Sequence, residues 1–187
     1  MQILFPVMKM TDIIIIDKNN QLCDYAVQVL SKSYFVRATD GRSLVQKGSG
    51  YLLDIIRTER ITQINSDSCV VILGENEQYS DIKTDWRKMY VIANSLCDSQ
   101  ITSLKSCGCP VITCGSKNVD SVSFTSIYDE IVTVSLNRSV TALSGRSVQP
   151  LEIPVHYDNE ESIYSVLSVT ALRILLDDFN SELGKLY

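Results

Sequence analysis

The regular pattern of the chain starts with an unbroken apolar run. "DIIIID", Asp12–Asp17, holds four isoleucines between two charges, as in a strand buried on both faces of a parallel sheet. In "NNQLCDYAVQVLSKS", Leu22, Tyr25, Ala26, Val29 and Leu30 recur at helical spacing behind Asn19 or Asn20 as N-caps. "YFVRA" then reads as a second strand, so the β-α-β order predicts a parallel pair joined by a right-handed crossover. "GRSLVQKGSG" reads as a loop with one helical turn. "YLLDII", "SCVVILG" and "MYVIANS" are three further apolar strands, the first predicted as buried. "DSQITSLKSCG" predicts a short helix capped by Asp98 and ended by Gly108, and "CPVITCG" a sixth strand.

After Gly115 the period changes. "VDSVSFTSI", "EIVTVSL", "SVTALSG" and "SVQPLEIPVHY" alternate apolar residues with Ser and Thr, which predicts antiparallel hairpins with one wet face. The chain closes with a helix whose apolar face is Ile163, Val166, Leu167, Ala171, Ile174, Leu175 and Phe179, with Asp158 and Glu161 spaced for a capping box. The fold class is therefore α/β: a mainly parallel Rossmann-like sheet with helices, then a short antiparallel β region and a C-terminal amphipathic helix. Residues 1–117 form the parallel part, and 118–187 the antiparallel strands and helix, packed with the first as one compact unit.

Composition narrows the function. At 187 residues, 45% hydrophobic and 21% charged, the chain is long enough and apolar enough for a folded core. A net charge of −5 without a Lys/Arg cluster argues against nucleic acid as a partner. No run approaches the ~20 apolar residues of a bilayer span, so no membrane association is expected. The opening "MQILFPVMKM" lacks a basic start and a small-residue cleavage site. It reads as a leader strand, and a cytoplasmic location is expected. Six cysteines without paired metal-ligand spacing, and one histidine, His156, read as structural thiols and a sheet-face imidazole.

Candidate chemistry sits at strand ends, where open parallel sheets bind ligands. Asn94 and Ser95 end one strand; their side chains suit a base or ribose, or the cap of the next helix. Gly115, Ser116 and Lys117 end another, either as an anion site or as a connector. Asp17 and Asp54 stand in or at the end of apolar strands and need partners. No G-x-x-x-x-G-K-[ST] loop is present, so the usual triphosphate cradle is missing. No cofactor or metal is expected.

Two resemblances follow from these strings. "IIIIDKNNQL…VRATDG…LLDII" resembles a response-regulator receiver, which implies an acidic Asp17, a phosphoacceptor Asp54 and a late lysine, Lys117. More of the chain, roughly residues 50–176, resembles the latter part of the Mur ligase central domain. The strings are "VIANS", "VITCG", "VSFTSI" and "HYDNEESIYSVLSVTAL", with Asn94 matching the family's first asparagine and Asn159 near a later one. That resemblance implies a bacterial nucleotide-binding frame. The family's Gly-Lys-Thr/Ser loop and its Glu and His magnesium ligands have no counterpart here. The expected function is a non-catalytic Mur-ligase-like domain that binds a protein partner or a small ligand, in an oligomeric state the sequence leaves open. The alternatives are a small enzyme with a divergent nucleotide site near Asn94 and Gly115, and a degenerate receiver phosphorylated at Asp54.

Overall fold

A computed structural model describes residues 11–77, 82–157 and 161–179. The leader of residues 1–10, Asp158 of the expected capping box and Asn159 lie outside them. The order of elements along the chain is β1 (Asp12–Ile16), α1 (Gln21–Leu30), β2 (Phe35–Thr39), β3 (Leu44–Gly48), β4 (Leu52–Thr58), β5 (Cys69–Leu73), β6 (Met89–Asn94), α2 (Asp98–Leu104) and β7 (Val111–Cys114). There follow β8 (Val122–Tyr128), β9 (Ile131–Leu136), β10 (Val140–Thr141), β11 (Ser147–Val148), β12 (Leu151–His156) and α3 (Ile163–Leu175).

One ten-stranded sheet runs β12-β9-β8-β7-β6-β5-β1-β4-β2-β3, and β10 and β11 pair as a separate ribbon. The strands from β2 through β8 are parallel, β8 joining β7 at the single pair Cys114↔Val122. The flanks are antiparallel: β3 on β2 at one edge, β9 and β12 beyond β8 at the other. The fold class is the α/β architecture expected.

The continuous runs are explained by burial on both faces. Ile13 and Ile15 face α1 and α3, while Ile14 and Ile16 pack with Val71, Leu73 and Leu104 on the other side. Each such side chain contributes about 1.5–3 kcal/mol on removal from water. α3 is buried nearly all round, including Ser165, Ser168, Thr170 and Arg173, because it lies between α1 and strands β6–β8. The amphipathic face expected for it is therefore too narrow a description.

Other expectations are corrected. β1 and β2 are parallel but not neighbours, since β4 lies between them. Residues 44–48 form an edge strand rather than a helical turn, closed by Gly48 and Gly50 at positive φ. Gly48 has no alternative, because a Cβ there would stand 2.1 Å from the Tyr34 carbonyl oxygen. β4 buries Leu53 and Ile55 on the α1 face, while on the other face Asp54 is buried between the exposed Leu52 and Ile56. Cys97, not Asp98, is the N-cap of α2. Ser162 caps α3, its hydroxyl accepting from the Tyr164 amide. No helix among the described residues is long and apolar enough to cross a membrane.

Candidate functional site

The carboxyl ends of β1, β4, β5, β6 and β7 bring Asp17, Thr58, Gly74, Asn94 and Gly115 along one rim of the sheet. A nucleotide fold uses the first turn of this rim, between β1 and α1, to offer backbone amides to phosphate. Here the chain's own acceptors take them. The Asn19 amide donates to Asp17 Oδ1 at 3.3 Å, the Lys18 amide to Glu77 Oε1 at 3.3 Å, and the Gln21 amide to Asn19 Oδ1 at 3.2 Å. Lys18 Nζ reaches Glu77 Oε2 at 3.0 Å, and Arg57 Nη2 donates to the Lys18 carbonyl at 2.6 Å.

Asp17 is only 4% exposed, and its Oδ2 has no hydrogen-bond partner among the described residues. Burial raises its pKa above the ordinary carboxylate value. The Asn19 amide opposes that rise, and the neighbouring Glu77 charge adds to it. Gly74 makes this approach possible. A Cβ there would stand 2.9 Å from Asp17 Oδ1 and 3.0 Å from Glu77 Cγ.

The second sector of the rim is locked by Gln100, which is fully buried. Its Oε1 accepts from the Asn94 amide at 2.9 Å, and its Nε2 donates to the carbonyls of Gly74 at 2.7 Å and Glu77 at 2.9 Å. The Asn94 side chain is equally engaged: Nδ2 donates to the Glu75 carbonyl and Oδ1 accepts from Leu96. This is the turn-forming role of Asn, and both ends of the amide are used.

Asn94 lies opposite Cys114 in the ladder, so Asn94, Ser95 and Gly115 come together. The space between them is full. A Cβ on Gly115 would meet Ser95 Oγ at 2.0 Å and Asp120 Oδ2 at 2.6 Å. Ser116 and Lys117 continue as an exposed turn, tied by the Lys117 amide to Asp120 Oδ2 at 2.9 Å.

The start of α3 covers the rim. Ser162 Oγ donates to Glu75 Oε2 at 2.7 Å, and the buried Tyr164 hydroxyl donates to the Leu73 carbonyl at 2.6 Å. Burial pushes that phenol well above its ordinary pKa. About 30 Å³ remains beneath it, beside Asp17, Asn19 and Glu75, room for one water. Sequence reasoning missed Gln100, Glu75, Glu77, Ser162 and Tyr164. The available signal was "GENE" after β5: two glutamates directly beyond a strand end.

Asp17, Asp54 and Lys117 are not brought together. Asp54 lies level with Asp12 at the start of β1, five residues or roughly 16 Å from Asp17 along the strands. Arg37 holds both its oxygens, at 2.5 and 2.8 Å. His156 is exposed, with Nε2 3.2 Å from Glu130 Oε2. All six cysteines are free thiols, and burial pushes Cys109 up to about 11. No group of three metal-ligating side chains forms among the described residues.

A larger cavity of about 390 Å³ opens between α1 and the β2–β3 hairpin. Asn20, Asp24 and Gln28, one turn apart each, form its helical wall, and Val45 and Lys47 of β3 the opposite one. Cys23, Val27 and Ala38 make an apolar floor, and Arg57 closes the end at β4. Because residues 44–48 read as a loop, sequence reasoning gave this cavity no second wall.

No family model and no curated protein matches this chain. Solved structures do. MurF from Acinetobacter baumannii superposes with a TM-score of 0.49 at 9% identity, over 95% of this chain and 46% of the ligase. A UDP-N-acetylmuramoyl-L-alanyl-D-glutamate–2,6-diaminopimelate ligase gives 0.45 at 8%, over 90% and 43%. The UDP-N-acetylmuramate:L-alanyl-gamma-D-glutamyl-meso-diaminopimelate ligase from Neisseria meningitides gives 0.50 at 11%, over 96% and 64%. The chain thus spans from under half to under two thirds of these enzymes. The likeness to the Neisseria ligase is one of fold, and the fold is Mur-ligase-like.

Proposed function

We propose that this chain is a non-catalytic, cytoplasmic, Mur-ligase-like domain that works by binding a protein partner or a small ligand rather than by using ATP. The observation that supports this most strongly is the filled β1–α1 turn. Asp17 and Glu77 carboxylates occupy amides that a triphosphate would need, and the cations of the turn are engaged by the chain itself, Lys18 by Glu77 and Arg57 by the Lys18 carbonyl. A polyphosphate approaching this rim must displace hydrogen bonds to carboxylate acceptors, each worth about 1.5–3 kcal/mol, and break the Lys18–Glu77 ion pair. The closed packing of Ser95, Gly115 and Asp120 supports the same conclusion for the neighbouring strand end.

Phosphate release from ATP with magnesium tests the proposal. The expected result is no turnover above buffer at any protein concentration. Release that scales with protein and is lost in Asn94→Ala would instead favour an enzyme with a divergent site at Asn94 and Gly115.

A further inference from the structure

We infer that the cavity between α1 and the β2–β3 hairpin is a binding site for a small polyhydroxylated monocarboxylate, a ligand of the sugar-acid type. This rests on the reading of the chain as a binding domain and gives that domain a ligand class.

Its volume of about 390 Å³ lies in the range of small-molecule sites. It stands at the carboxyl ends of β2 and β4, on the side of the sheet rim where α/β folds place ligands. Some of its polar groups are left unused by the fold. Arg57 Nε is buried without a hydrogen-bond partner among the described residues, although Nη2 of the same guanidinium is engaged. Its charge, at the β4 end of the cavity, favours an anionic group there. Lys47, across the cavity on β3, forms no ion pair within the described residues, so its ammonium is the cation free to meet a carboxylate, while Arg57 already lies 4.0 Å from Glu59 Oε1.

The opposite wall calls for hydroxyls. The side chains of Asn20, Asp24 and Gln28 make no hydrogen bond within the described residues and are exposed along one stripe of α1. Two amides and a carboxylate spaced a helical turn apart both accept and donate, as vicinal hydroxyls require. Asp40 is already committed: its Oδ1 takes the Arg42 amide, the Ser43 amide and the Ser43 hydroxyl at 2.7–3.0 Å. It therefore shapes the hairpin rather than competing for Arg57. The floor of Val27 and Ala38 offers an apolar surface to the carbon skeleton. With Asp24 and Asp40 against Arg57 and Lys47 the lining is neutral, which suits a single negative charge better than a dianion or a phosphate.

The test is titration of the full chain with D-gluconate and D-glucuronate, with D-glucose as the uncharged control, followed by amide NMR shifts. Saturable shifts at Ser43, Val45 and Lys47 with either acid, and none with glucose at the same concentration, are expected. Lys47→Gln, an exposed change on the edge strand, should weaken binding about tenfold, the loss of one charge-assisted contact. Asp24→Ala should weaken the acids without restoring glucose. Equal binding of glucose, or no saturable shift with either acid, overturns the inference. Neither result bears on ATP, so the non-catalytic reading stands or falls by its own assay.

Discussion

Lys18 is bound twice to Glu77: its amide donates to Oε1 at 3.3 Å and its ammonium pairs with Oε2 at 3.0 Å. The residue that opens the β1–α1 turn is thus tied to a carboxylate from beyond β5, across the place where a phosphate would lie. Glu77 also raises the pKa of Asp17 beside it. Replacing it by the neutral isostere, Glu77→Gln, should move the Asp17 titration down toward its ordinary value. Carboxyl carbon shifts followed against pH measure this directly, and an unchanged Asp17 midpoint would separate the two residues.

Asp17 itself should limit stability at neutral pH. Its folded pKa is raised above the ordinary 3.8, so the native state holds the proton more tightly than the unfolded chain. The stability it contributes is complete below the ordinary value and is lost as pH rises through the raised one. Asp17→Asn keeps the acceptor for the Asn19 amide and removes the charge. Urea unfolding should show the variant more stable at pH 7, with the difference shrinking as pH falls toward 3.

Gln100 should be among the costliest polar side chains to lose. Gln100→Leu leaves the Asn94 amide and the Gly74 and Glu77 carbonyls without their partner. A loss of about 3 kcal/mol is expected in chemical denaturation, with faster amide exchange at Asn94 than in the rest of β6.

Gly115 and Ser95 should behave as a coupled pair. Gly115→Ala alone drives a methyl into Ser95 Oγ and Asp120, at a cost of about 1–3 kcal/mol. Ser95→Ala removes a hydroxyl that has no partner among the described residues, so it should be nearly neutral and should recover part of that cost in the double variant. A double-mutant cycle reads the coupling, and strictly additive effects would contradict the contact.

Much of the fold was legible because burial on both faces writes itself as continuous apolar runs. Asp12–Ile16, Cys69–Leu73 and Met89–Asn94 announced themselves in that way. The edge strand Leu44–Gly48 did not, since all five residues are exposed and impose no apolar period. Strand order was equally hidden: nothing local in "YLLDII" says that it inserts between β1 and β2. The full burial of α3 escaped a periodicity reading because small hydroxyl residues enter the core once locally satisfied, as Ser168 is by the Ser165 carbonyl at 3.1 Å. At the rim, the sequence placed Asn94, Ser95 and Gly115 at strand ends. It gave no hint that Gln100, six residues on, would consume the Asn94 amide, because that contact depends on how α2 returns to the sheet.

The most direct test of the central claim is an amide NMR titration of the wild-type chain with ATP and magnesium. The signals to follow are those of Lys18, Asn19 and Gln21. If the chain's own side-chain acceptors fill this turn, those signals stay fixed to millimolar nucleotide. Saturable movement of the three together would show a phosphate displacing Glu77 and Asp17, and would contradict the account.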